Sequence, residues 1–88
     1  MTKGDLIIKN QRGLHARAAS KFVKLAADFD AQISVSRDGQ TVSGLSIMGL
    51  MMLAASPGDT VTIMTEGPQA EDAFIALERL VKDNFHET

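Results

Sequence analysis

The dipeptide Asp38-Gly39 constrains the fold of this chain more than any other pair of residues. Both residue types tolerate positive φ, which a two-residue hairpin turn demands, and such a turn makes its flanking segments antiparallel. Before it, Ala31, Ile33 and Val35 alternate with Gln32, Ser34 and Ser36, the period of a strand with one buried face. Gln40 to Ser43 then returns as its partner. The apolar side of this hairpin needs a cover, and the remaining periodicities supply one.

Thr2 to Lys9, with Leu6-Ile7-Ile8 inside it, reads as a first strand, and Thr60 to Thr65, with Val61 and Ile63 inward, as a fourth. Ala19, Phe22, Val23 and Ala26 recur at helical spacing, which predicts a helix from Ala16 to about Asp28. Ser46 to Ala55 is almost wholly apolar and opens on a serine suited to an N-cap, so it reads as a second helix. Pro68 is placed in the first turn of a third helix, followed by Glu71 and Asp72. Its stripe of Ala70, Ala73, Phe74, Leu77, Leu80 and Val81 runs to about Asn84, and Phe85 to Thr88 is expected to fray. The order βαββαβα predicts one α+β domain over residues 1–88, a four-stranded antiparallel sheet with helices on one face.

Composition removes several functions. There is no cysteine, hence no disulfide or thiolate metal site, and only His15 and His86 are available as imidazole ligands. No metal or cofactor is expected. No phosphate-binding glycine loop with its lysine is present, so the chain is not expected to use ATP by itself. The formal net charge of −2 and the lack of Trp and Tyr argue against nucleic acid. The most apolar run, Ile47 to Ala55, is too short to span a bilayer. Met-Thr-Lys-Gly-Asp does not open a signal peptide, so a cytoplasmic location is expected.

The chemistry is concentrated between Gly13 and Ser20. With a helix starting at Ala16, the N–H groups of Ala16, Arg17 and Ala18 lack intrahelical partners and face back toward His15. The helix dipole adds positive charge at that end, so an anion such as phosphate is favoured there. Arg17 adds forked donors, and Gly13 gives the bend its backbone freedom. The same field disfavours an imidazolium, leaving His15 a neutral nucleophile able to become a phosphohistidine. Ser20 reads as a solvated helix serine. Ser46 has two readings, a helix cap or a phosphorylated residue at a helix start. Ile47, Met48 and Met51 are either core filling or a pliable docking surface, and Met48 and Met51 favour the second.

Gly13-Leu14-His15-Ala16-Arg17 resembles the active-site motif of HPr, the histidine phosphocarrier of the bacterial phosphotransferase system, and Ser46-Ile47-Met48-Gly49-Leu50-Met51 resembles that family's regulatory-serine segment. The resemblance extends over essentially the whole chain. It implies the open-faced β-sandwich of that family, with three helices on one side of the sheet. It implies that His15 accepts a phosphoryl group on Nδ1 from phosphorylated enzyme I and passes it to enzyme IIA components. Arg17 would steady the phosphate beside the amides of Ala16 and Ala18, and an HPr kinase/phosphorylase would act on Ser46. Leu14, Ile47, Met48 and Met51 would belong to the docking surface of a monomer. The implied role is a carrier with a phosphohistidine intermediate, without small-molecule catalysis of its own. A regulatory interaction domain on the same scaffold, acting independently of phosphotransfer, is the alternative. Two positions depart from the family pattern: Ala18 stands where proline is common, and Leu45 where lysine often precedes the serine. Ala18 and the methionine-rich helix lean the reading toward a regulatory branch.

Overall fold

Positive φ at Asp38 (51°) and Gly39 (81°) closes the two-residue turn, and the pairing it imposes organises the sheet. The computed structural model describes residues 1–87. Its elements are β1 (Thr2–Ile7), α1 (Ala16–Ala26), β2 (Gln32–Arg37), β3 (Gln40–Ser43), α2 (Ile47–Met52), β4 (Thr60–Glu66) and α3 (Ala70–Lys82), followed by a 3₁₀ turn at Asn84–His86.

The four strands form one antiparallel sheet in the order β1-β4-β2-β3. Ile63 of β4 lies opposite Gly4 of β1 and Val35 of β2, so their side chains share one face. That face is apolar: Leu6, Ile33, Val35, Val61 and Ile63 are all buried. The opposite face is open and carries Lys3, Asp5, Ser34, Ser36, Thr41, Ser43 and Thr62. Period-two alternation thus leaves one side for the helices and one for solvent.

The helices cover the apolar face with the residues their spacing selects. Ala18, Ala19, Phe22 and Ala26 of α1, Leu50 of α2, and Ala73, Leu77, Leu80 and Val81 of α3 complete the core. The Phe74 ring crosses Gly4 so closely that a Cβ there would stand 2.5 Å from it. Thr65 is fully buried, and its hydroxyl donates to the Ala70 carbonyl at 2.7 Å, tying β4 to the start of α3.

Several expected boundaries shift. β1 ends at Ile7 and α1 at Ala26, each two residues early. β2 starts and ends one residue later than expected, and β4 extends to Glu66. α2 stops at Met52, because Ala54 turns into the left-handed region at φ 53°. Pro68 lies before α3, not in its first turn; Gln69 is the N-cap, and Gly67 makes the bend at φ 119°. The largest correction is the tail. Phe85 is 1% exposed and anchors the segment in the core, so residues 85–87 are held in a 3₁₀ turn and its cap instead of fraying. Burying a phenylalanine side chain is worth about 2 kcal/mol, enough to hold a short segment down. Thr88 lies outside the described residues.

Candidate functional site

The corner before α1 is held from three sides. Gly13 has φ 64°, and a Cβ there would fall 2.3 Å from the Ala55 carbonyl oxygen. The next amide, Leu14 N–H, donates to that same oxygen at 2.9 Å. Asn10, 2% exposed, donates from Nδ2 to the Gly13 carbonyl at 2.7 Å, while Gly13 N–H donates back to the Asn10 carbonyl at 3.1 Å. The bend thus tolerates only glycine, and its geometry is fixed before the helix begins. Leu14 was expected to face a partner. It is 6% exposed and packs in the core, so it anchors the corner instead.

His15 is the N-cap of α1, in extended backbone at φ −82°, ψ −180°. Its carbonyl accepts from Ala19 N–H at 2.9 Å, and its Nδ1 accepts from Arg17 N–H at 3.3 Å. An amide N–H can only donate, so Nδ1 must present a lone pair and the ring proton is assigned to Nε2. Nε2 faces the Glu87 carboxylate at 2.8 Å and donates to Oε1. The ring therefore has both nitrogens occupied by complementary partners, with Nδ1 held by the longer and weaker bond.

Glu87 reaches the ring because the tail curls the wrong way for L-residues. Asn84, Phe85 and His86 have φ of 54°, 54° and 59°, all left-handed and none glycine. Each such residue costs roughly 1–2 kcal/mol. Three contacts oppose that cost: Phe85 fills the core, Lys21 Nζ donates to its carbonyl at 2.7 Å, and His86 Nδ1 pairs with Asp83. Desolvation works to raise the pKa of Glu87, but the Asn10 amide, the His15 hydrogen bond, the charge of His15 in its protonated form and the Arg12 guanidinium outweigh it and hold the carboxyl below its ordinary 4.5. Asn10 Nδ2 carries two N–H groups and uses one on the Gly13 carbonyl, while Glu87 Oε2 is enclosed without a hydrogen-bond partner.

A shallow cleft of about 480 Å³ opens over the ring, lined by Lys9, Arg12, His15, Arg17, Lys21 and Glu87 among others. Four fixed cations against one carboxylate make it a place for an anion despite the acidic chain. Arg17 is exposed, and among the described residues its guanidinium makes no ion pair, so its donors are open to a ligand. The Ala18 side chain is buried at 1% exposure, while Ala16 is exposed. Of the three first-turn amides, Arg17's is taken by His15 in this state, and no backbone carbonyl among the described residues takes those of Ala16 or Ala18.

Ser46 lies apart from the cleft. It caps α2, its Oγ accepting from Gly49 N–H at 2.9 Å, and it is half-buried. Leu45, Ile47, Met48, Met51 and Met52 surround it as an exposed apolar surface, with Met48 73% exposed. Sequence reasoning missed Asn10, Lys21 and Glu87. Asn10 looks like ordinary loop chemistry, and Glu87 stands 72 positions from the histidine it touches, beyond the reach of any local motif. Among the described residues, no cluster of three His, Asp or Glu could hold a metal ion, and no helix is long and apolar enough to cross a membrane.

Residues 2–83 match the family model described as PTS HPr component phosphorylation site. A phosphocarrier protein HPr of Cupriavidus necator is 47% identical over 87 residues, covering 99% of this chain and 98% of that protein. The phosphoryl donor subunit DhaM of the PEP-dependent dihydroxyacetone kinase of Escherichia coli is 39% identical over 83 residues, which are 94% of this chain and 18% of that longer protein. Among solved structures, HPr-C-His from Thermoanaerobacter tengcongensis superposes with a TM-score of 0.95 at 42% identity, covering 100% of this chain and 99% of that one. With an oriented histidine at a helix start, a cationic cleft above it and near-complete overlap with these relatives, the chain belongs to the HPr family of phosphocarriers of the phosphotransferase system.

Proposed function

We propose that Nδ1 of His15 is the atom that carries the phosphoryl group, delivered by phosphorylated enzyme I and handed on to an enzyme IIA component. The observation that carries this reading is the ring's arrangement: Nδ1 holds a lone pair under a cationic cleft while Nε2 keeps its proton on Glu87. In the transfer, the Nδ1 lone pair forms the N–P bond as the donor's own N–P bond breaks, and that electron pair returns to the donor nitrogen. The weak bond from Arg17 N–H to Nδ1 is released, and that amide, with those of Ala16 and Ala18, becomes available to phosphate oxygens. Arg17 supplies forked charge-assisted donors from the rim.

The partners dock on the cleft and on the neighbouring apolar surface of Ile47, Met48 and Met51, where flexible side chains can fit more than one protein. Ser46, at the centre of that surface, is the residue for an HPr kinase/phosphorylase; a dianion there would place charge in an apolar contact and weaken docking. The carrier works in the cytoplasm as a single monomeric domain of residues 1–88.

The test is incubation with enzyme I and phosphoenolpyruvate. Acid-labile label on one histidine, absent from His15→Ala, supports the reading. Full labelling of His15→Ala would end it.

A further inference from the structure

The carboxylate of Glu87 is aimed at the one ring nitrogen that the transfer step leaves unused. Its Oε1 lies 2.8 Å from Nε2, with the pair only about one-fifth exposed. A solvent-facing histidine exchanges its single proton between the two ring nitrogens, and only the form with the proton on Nε2 offers a lone pair at Nδ1. Arg17 N–H favours that form too, but at 3.3 Å it is a long hydrogen bond. The charged partner on Nε2 is the shorter and stronger of the two. Its position is expensively made: three successive left-handed residues, a buried phenylalanine and a lysine bond on its carbonyl all serve to bring residue 87 against residue 15.

We propose that Glu87 is a positioning residue for phosphoryl transfer, holding the His15 proton on Nε2 and supplying the counter-charge when the ring turns cationic. This rests on His15 as the carrier residue. When Nδ1 bonds to phosphorus, no proton leaves; the Nε2–H remains, the ring gains a formal positive charge, and the carboxylate beside it is already in place. The reverse step, release of the phosphoryl group to an acceptor, returns the ring to the same tautomer without a proton shuttle. The orientation role is the one known for carboxylates behind histidines that act as nucleophile or base.

The experiment compares Glu87→Ala and Glu87→Gln with the parent protein. Nitrogen NMR of the His15 ring, at a pH where it is neutral, reads the tautomer directly. The parent should show one form with the proton on Nε2. Glu87→Ala should show a mixture and should accept phosphate about tenfold more slowly, the scale of one lost hydrogen bond to a charged group. Glu87→Gln keeps an acceptor oxygen, so it should restore the tautomer but only part of the rate. Thermal melts of the variants check that the fold is intact. If Glu87→Ala matches the parent in either ring-nitrogen pattern or transfer rate, the positioning role is overturned. If the parent itself takes no phosphate on His15, the carrier assignment fails, and that failure is visible separately because the tautomer is read without any phosphoryl donor.

Discussion

Gly13 and Ala55 meet where no side chain fits between them. A Cβ on Gly13 would stand 2.3 Å from the Ala55 carbonyl oxygen, and the backbone there is already at φ 64°. Gly13→Ala therefore combines a left-handed backbone penalty with a contact that only main-chain movement can relieve. The expected loss is about 2–4 kcal/mol, read as a lower urea midpoint with an unchanged slope. Because Leu14 N–H bonds to that same oxygen, phosphate acceptance by the folded fraction should also fall.

Ala54 is the opposite case. It is exposed and sits at φ 53°, just past the end of α2. Glycine suits this conformation without the Cβ cost, so Ala54→Gly should stabilise by about 1 kcal/mol. For a domain of this size that corresponds to a Tm higher by about 5 °C, measurable by calorimetry, with transfer activity unchanged.

Phe85 links stability to the site. Phe85→Ala empties a fully buried position and should cost about 3 kcal/mol. It should also detach the left-handed turn, and the His15 ring signals should move toward those of a freely exchanging histidine. A destabilised variant with parent-like ring signals would show that Glu87 reaches His15 without its anchor.

The pH dependence has a definite sign. The carboxyl of Glu87 has a lowered pKa in the folded protein, so its contribution is present above the ordinary value of 4.5 and lost as pH falls through the lowered value. The groups facing it are His15, Arg12 and the Asn10 amide. Amide protection factors at residues 84–87, corrected for the intrinsic pH dependence of exchange, should hold down to pH 4.5 and fall below it, and Glu87→Gln should abolish that acid-side change.

Arg17 is exposed, and its guanidinium makes no ion pair among the described residues. Arg17→Ala should leave the urea midpoint within about 0.5 kcal/mol. It should slow phosphoryl transfer at least tenfold, as loss of a charged donor on a phosphate does. Stopped-flow transfer from a phosphorylated donor would separate the two effects.

Much of this architecture is legible in local chemistry. Asp38-Gly39 announces its turn because both residues accept positive φ, and both adopt it. The stripes from Ala19 to Ala26 and from Ala70 to Val81 announce their helices because burial follows the helical period. Ser46 caps α2 as its type and place suggest. The motif around His15 marks the proposed nucleophile and, as the structure shows, the start of α1. The rest is decided at long range. Asn84 and His86 are types that can visit left-handed backbone, but nothing local announces three such residues in succession with Phe85 between them, and Phe85 finds its place in the core. Leu14 is apolar beside the proposed carrier histidine, and only the packed structure shows that it turns inward. Pro68 matched a first-turn position, yet the bend at Gly67 delays α3 by two residues.

The cleft takes His15 from the first third of the chain and Glu87 from its end. During synthesis the histidine is exposed long before Phe85 and Glu87 have been added. A chain not yet synthesised to residue 87 thus presents the His15 ring without the carboxylate that meets its Nε2. On the proposed role of Glu87, the ring is fully oriented only once the turn at residues 84–87 has docked against it.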